Sequence, residues 1–437
     1  MKTQISRKHH EKNEPKVLYG EQTLLTLENM SFSGIPLSTF PEFIINAAKV
    51  KKACAIANYL AGNLSNEQLR RITLACNELI EGKHLEQFPV DVFHGGGGIG
   101  VNMNLNEVIA SLAGGDVDAI ETVNMSQSTS DVCHTAMRMT IDEMLQGLLN
   151  ESQLMAASLK EKAKEFAPVD TVARTCFQDG MRVSSGAIFD ATASAITRRH
   201  RSLSETSKSM RNVNLGWTVI GSGIGASEKY REVILDELTN ITGRQFSWNE
   251  DMYDAAEYPD DLADVSAELR VIAEILAKLS RDLRILSSGP ETGFEELILP
   301  AVQKGSSFFP GKVNPVIPET MIQCSFLISG NDSIIQSCVG AGEIHLNLWE
   351  DMMGFLLINN IRRLTTMMHL FRTKCLDGIR LNEEKCEQYA NSSIPTVVDY
   401  KEEFGYKELT DRIKKDGVKK TLNDIKKEKT KEQKGDA

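Results

Sequence analysis

The run from Thr135 to Ala167, TAMRMTIDEMLQGLLNESQLMAASLKEKAKEFA, passes more than thirty residues without a proline and keeps its apolar side chains at helical spacing. A helix of that length buries its apolar stripe only by lying beside others of similar length. Runs of the same texture recur at 183–212, at 261–287 and, after Pro318, at 319–375, while strand-like alternation is scarce. Several of these runs are apolar over more than one face, which predicts an up-and-down bundle whose outer faces pack against further copies of the chain. The expected fold class is mainly α, built on a central long-helix bundle.

Two shorter helical patterns precede the bundle between Phe40 and Glu81, the second closing on the glycine at 82. With 437 residues the chain exceeds the size at which one core keeps growing, so it divides into parts. The expected parts are a mostly helical 1–123, a bundle over 124–375 that carries the segment 303–319, and a small helical region over 376–437. In that last region lysines alternate with acids from Lys407 onward, the pattern of a solvated helix or frayed tail. A net charge of −11 excludes nucleic acid as the main partner, because phosphate binding needs a basic surface. The eight cysteines form no CxxC pair and have no histidine at ligand spacing, so no metal site is expected and the thiols fit a cytoplasmic protein. The start, MKTQISRKHHEKNEPK, is polar throughout, and no later run approaches the ~18 apolar residues of a membrane span, so neither secretion nor a membrane partner is expected.

HGGGGIG, residues 94–100, satisfies the GxGxxG pattern of a dinucleotide-binding turn. That turn needs a buried strand before it and a helix packed behind it. Here EQFPVDVF precedes it, with Pro89 and polar residues that make a poor buried strand, and Asn102, Asn104 and Asn106 follow at alternate positions. The better use of such a cluster is a polar wall of unhindered backbone N–H groups that binds an anion. Three later segments support it: NMSQSTSDVCHTAM (124–137), ARTCFQDG (173–180) and QKGSSFFPGKVNPVIPE (303–319). The last joins two hydroxyls, glycine hinges, a cation and an amide between two long helical runs, a demanding composition that favours a functional loop over a connector.

Taken together these blocks resemble the aspartase/fumarase superfamily. The loop is similar to its GSSxMPxKxNP signature, the glycine block to its segment ending in NMNxNEV, and 124–137, 173–180 and SSGP at 287–290 to three further family blocks. The resemblance implies a homotetramer with active sites shared between subunits, a small-molecule carboxylate substrate, no organic cofactor, and room for activation by a divalent cation. It implies an anti 1,2-elimination in which a carbon-bound proton leaves one carbon and ammonia, water or a substituted amine leaves the next. By the same resemblance Ser306 is the base, its alkoxide held by backbone N–H groups and Lys312 in a closing loop where the lysine is buried against an anion. Lys312 and Asn314 anchor the substrate carboxylate, Ser128 and Thr129 bind the carboxylate beside the carbanion, Thr175 lies near the leaving group, and Glu319 stands behind the site. Gly98, Asn104 and Ser307 belong to the matched blocks as substrate contacts. For Ser128 and Thr129, helix capping is an alternative role that can coexist with the first.

Four positions depart from the family pattern: Ile99 stands for Thr, Ser130 for Asn, Cys176 for His or Gln, and Leu25 for Arg. Ile99 cannot donate to a second carboxylate and Leu25 removes a positive charge, so the far end of the pocket is expected to favour an anion less. Ser130 and Cys176 leave more room and fewer donors where the amine departs, and Cys176 is a candidate proton donor with an inert buried thiol as the alternative. His94, His134 and His345 also differ from the family pattern and read as framework histidines, with His94 kept as a substrate contact. Phe308 and Phe309 replace an aliphatic pair and serve as packing or as an aromatic face toward a methylated ammonium. The function expected is a carbon–nitrogen lyase acting on something other than plain aspartate. The alternatives are a fumarase-like hydratase, an ergothionase-like trimethylamine lyase and a non-catalytic structural relative.

Overall fold

The computed structural model describes residues 17–435. The polar stretch 1–16, read above as carrying no secretory segment, lies outside the described residues, as does the extreme C-terminus. The chain is mainly helical. Helix α1 spans Glu21–Met30, α2 Pro41–Leu60, α3 Asn66–Ile80, α4 Ile99–Ala113, α5 Thr129–Phe166 and α6 Ala187–Thr206. Further long helices cover Asp260–Leu286, Val316–Val339 and Glu350–Lys374. Among the described residues, strands are confined to three two-stranded pairings, and no helix is long and apolar enough to cross a membrane.

Local chemistry explains where the elements start and stop. In α3 the Ser65 hydroxyl accepts from the Gln68 N–H while the Gln68 side chain accepts from the Ser65 N–H, a capping box that closes the helix start. The 38 residues of α5 begin where the 124–137 block ends its turn. The pattern 183–212 is shortened to α6, because residues 178–184 are drawn into a strand. The pattern 319–375 is two helices rather than one. Gly340 and Gly342 open the break, a Glu343–Leu346 bridge tightens it, and the Asn347 side chain donates to the Cys338 carbonyl at 3.0 Å. Pro318 does not stand before the first of these helices but sits in the first turn of Val316–Val339, where its missing N–H costs little.

Two compact units emerge, each discontinuous in sequence: the described residues within 1–143, 208–263 and 335–358 form one, and those within 144–207, 264–334 and 359–437 the other. They describe compactness, a different matter from the linear order 1–123, 124–375 and 376–437 expected above. In the first unit α2 packs on α3 and on the helix Glu228–Thr242. Its core includes Phe40, Phe43 and Phe355, whose rings meet at 4.8 and 5.1 Å. In the second unit a hairpin of β1 (Asp170–Thr175) and β2 (Gln178–Ser184) packs on the helices Glu383–Ala390 and Ser393–Asp399. The Lys-rich end is a pair of docked helices, Tyr406–Asp416 and Val418–Gly435, rather than a frayed tail. Leu409, Leu422 and Ile425 are buried, and their helical spacing supplies the apolar stripe that the alternating charges hide.

Candidate active site

In the first unit the residues before the glycine cluster form a 3-10 turn and a single bridge, Pro36 to Asp91, in place of a strand. The Asp91 carboxylate accepts from the N–H groups of Phe32, Ser33 and Gly34 and fixes that approach. Gly98 caps α4 with φ +80°, and a methyl group there would overlap Asp351 Oδ2, so the position demands glycine twice over. Ile99, the first helical residue, is 42% exposed. His94 directs Nδ1 to the Gly95 carbonyl at 2.8 Å.

The three asparagines of α4 turn inward. Asn104 donates to the Gln87 carbonyl at 3.0 Å. The Asn124 side-chain oxygen gathers donors from Lys51 Nζ (3.0 Å), Asn102 (3.1 Å) and Asn106 (3.1 Å), and Asn102 donates also to Thr129 Oγ1 at 3.2 Å. A buried cation is thus linked through two amides to a candidate substrate hydroxyl. Burial brings the Lys51 amine down to about 8, against the opposing pull of Cys54, Cys133 and Asp131. Ser128 caps α5: its N–H donates to Asp131 at 2.8 Å, and its hydroxyl accepts from the Asp131 N–H at 3.3 Å and the Val219 N–H at 3.2 Å. Capping is therefore a role Ser128 fills here. Ser130 is buried and donates to the Val219 carbonyl at 2.9 Å.

Below this block lies a charged cluster that the sequence did not announce. Arg138 of α5 pairs with Asp261 at 2.8 Å and, more closely, with Glu350, while His134 Nδ1 stands 3.0 Å from the other Glu350 oxygen. Burial works to raise the Glu350 carboxyl, but Arg138 and His134 bring it down to about 2. Burial likewise opposes the His134 charge, yet Glu350 raises its pKa above the usual value. His134 is buried beside Glu350, whereas His345 is exposed with Glu257 3.9 Å away.

In the second unit Ser306 Oγ accepts from two backbone N–H groups, Phe308 at 3.0 Å and Phe309 at 2.9 Å. The loop is closed on itself by the Gly305 N–H to the Lys312 carbonyl (2.9 Å) and by the Asn314 amide to the Gly305 carbonyl (2.6 Å). Lys312 is exposed rather than buried, because its side chain projects from the loop into solvent, as do Phe308 and Phe309; its amine lies 5.7 Å from the Phe309 ring centre. Ser307 is exposed. Lys312 and Asn314 line a cavity of about 750 Å3 together with Gly289 and Pro290 of the SSGP marker and Arg380. Glu319 stands 3.4 Å from Arg284.

Thr175 ends β1, and Cys176 and Phe177 form the two-residue hairpin turn, both with positive φ. Cys176 is exposed, not buried, because that turn projects from the sheet; it lines a separate cavity of about 440 Å3 with Arg174 and Glu296. The other seven cysteines are buried and unpaired. Among the described residues no group of three or more His, Cys, Asp or Glu side chains is set to hold a metal ion. The structure thus joins the glycine block to Thr129 in one unit and gathers the SSGP marker with the Lys312 and Asn314 anchors in the other.

Comparison with known proteins agrees with these blocks. A family profile described as Lyase matches residues 12–330. Aspartate ammonia-lyase of a Bacillus species is 37% identical over 91% of this chain and 86% of its own length. That of Helicobacter pylori strain J99 is 37% identical over 96% and 92%. Among solved structures, a fumarate lyase:delta crystallin from Brucella melitensis bound to cobalt superposes with a TM-score of 0.87 at 37% identity, covering 91% of this chain and 89% of that one. A class II fumarase from Schistosoma mansoni gives 0.89 at 26% identity, covering 94% and 93%. On this likeness, which runs through nearly the whole chain and every motif block, the protein belongs to the lyase family of the aspartase/fumarase superfamily.

Proposed function

We propose that the protein is a carbon–nitrogen lyase that removes ammonia or a substituted amine from an amino-acid-type carboxylate other than plain aspartate, with Ser306 as the base. The observation that carries this reading is the Ser306 hydroxyl, an acceptor to two backbone N–H groups at 3.0 and 2.9 Å in a loop that also bears Lys312. Donors already aimed at the oxygen lower the cost of its alkoxide, and no backbone has to reorganise when the proton leaves. Removal of a carbon-bound proton leaves an enolate-like charge on the neighbouring carboxylate. Thr129 is suited to receive it, since Lys51 and two asparagines stand behind its hydroxyl. Lys312 and Asn314 serve as the second set of carboxylate contacts. Ile99 and Leu25, both partly exposed, provide no donor or cation for a further carboxylate. The relatives named aspartate ammonia-lyase support the amine-releasing chemistry. The test is ammonia release together with the ultraviolet absorbance of an unsaturated acid, followed with L-aspartate, L-malate and histidine-derived betaines in turn. An amine is expected to appear from an amino acid or betaine, with aspartate at least about a hundredfold poorer in kcat/KM. Turnover of malate alone would establish the hydratase instead, a reading favoured by the likeness to the Schistosoma fumarase.

The active site of the proposal is shared in a homotetramer. Phe326 and Leu327 on the helix Val316–Val339 are 62% and 54% exposed, an apolar face suited to contact between copies. Two inactive variants, Ser306→Ala and Thr129→Val, are therefore expected to regain activity when denatured together and refolded, since some mixed sites receive both intact groups. Activity that stays at the level of either variant alone would rule out sharing between these two blocks.

A further inference from the structure

Asp351 begins the helix Glu350–Lys374 at its second residue and is only 6% exposed, yet both of its carboxylate oxygens are buried without a hydrogen-bond partner. Leaving a buried carboxylate unpaired is costly, so the position calls for a partner the chain does not itself supply. Its neighbours explain the vacancy of donors. Oδ2 lies against the α-carbon of Gly98, where any side chain would overlap it. Arg138 is already taken by Glu350 and Asp261. His94 Nδ1 is engaged with the Gly95 carbonyl, as a donor, which leaves Nε2 a bare acceptor; Nε2 too is buried and unpartnered. Two acceptors therefore flank the glycine turn, and both lack a donor. Burial raises the Asp351 carboxyl above its ordinary range; the His134 charge opposes the rise and Glu350 adds to it.

We propose that Asp351 and His94, at the Gly98 turn, form a subsite for a cationic nitrogen group on the substrate, in place of a second carboxylate. An ammonium or similar group brings N–H donors to both orphan acceptors and charge to the carboxylate, whereas a carboxylate in the same place would meet Asp351 as a like charge. The position of the subsite agrees with the substitutions beside it: Ile99 offers no donor to an anion. The inference rests on the lyase reading for its substrate class, but its test is binding, which needs no turnover.

The experiment titrates L-2,4-diaminobutyrate and L-aspartate calorimetrically into the Ser306→Ala protein, with and without Asp351→Asn. The expected result is at least about tenfold tighter binding of the diamino acid than of aspartate, with the preference erased by Asp351→Asn. Equal or tighter binding of aspartate, no binding of the diamino acid, or a preference unchanged by Asp351→Asn would each overturn the subsite. His94→Gln is the second variant, measured in the same way; it is expected to weaken the diamino acid selectively, and an unchanged ratio counts against the proposal even where Asp351→Asn does not fold. Turnover that survives Ser306→Ala would sink the base assignment and leave these binding ratios to decide the subsite by themselves.

Discussion

Replacing Ser306 with alanine is expected to lower kcat at least about a thousandfold on the true substrate while leaving the fold and the melting temperature nearly unchanged. Among the described residues Ser306 Oγ bonds to the loop's own Phe308 and Phe309 N–H groups, and the loop is also closed by Gly305 to Lys312 and Asn314 to Gly305. Removing the hydroxyl therefore costs little structure. On the proposed mechanism it removes a proton acceptor whose developing charge meets two donors already in place, the arrangement that contributes most when charge appears only in the transition state. Substrate affinity should change far less than kcat, because the proposed carboxylate contacts, Lys312 and Asn314, remain. Steady-state kinetics with circular dichroism on the same sample checks both halves. A variant that keeps its turnover would end the assignment of Ser306 as base.

The helices were the most legible part of the chain. Over 135–167 the helical spacing is unbroken and proline-free, and α5, 38 residues long, carries it as far as Phe166. Periodicity failed where a break needs no proline: between 339 and 350 two glycines and the Glu343–Leu346 bridge turn the chain within an apolar sequence that otherwise reads as continuous helix. The hairpin at 170–184 was hidden for a similar reason, since its turn uses Cys176 and Phe177 at positive φ rather than asparagine and glycine. Motif blocks located the loop and its glycine-rich counterpart, but not the groups behind them. Lys51, Asp131, Arg138, Glu350 and Asp351 occupy ordinary helical positions, and their significance comes from burial, which one-dimensional spacing does not record. A lysine or carboxylate on the inner face of a helical pattern is the signal that could have found them, because charged residues are seldom buried without a partner or a task.

The same burial makes Arg138 the position where a single substitution should cost most stability. Arg138→Met keeps the length of the side chain but leaves Glu350, 1% exposed, and part of Asp261 without their cation, which is expected to cost about 3–5 kcal/mol. Glu350→Gln alone should cost less, because Arg138 keeps Asp261, and the double variant should be less destabilised than the sum of the two, since the orphaned charge is gone. The pH dependence follows from the direction of the Glu350 shift. A carboxyl held at about 2 in the fold and near the ordinary value of ~4.3 when unfolded adds stability that is fully present above that ordinary value. The contribution is lost progressively as pH falls toward 2. The gap between wild type and Glu350→Gln should therefore be constant from neutral pH down to about 5 and narrow below it. Denaturant midpoints measured across that range test the sign as well as the size. An Arg138→Met protein within about 1 kcal/mol of wild type would mean that the cluster is hydrated in solution, and that Arg138 does not hold Glu350 charged beside Asp351.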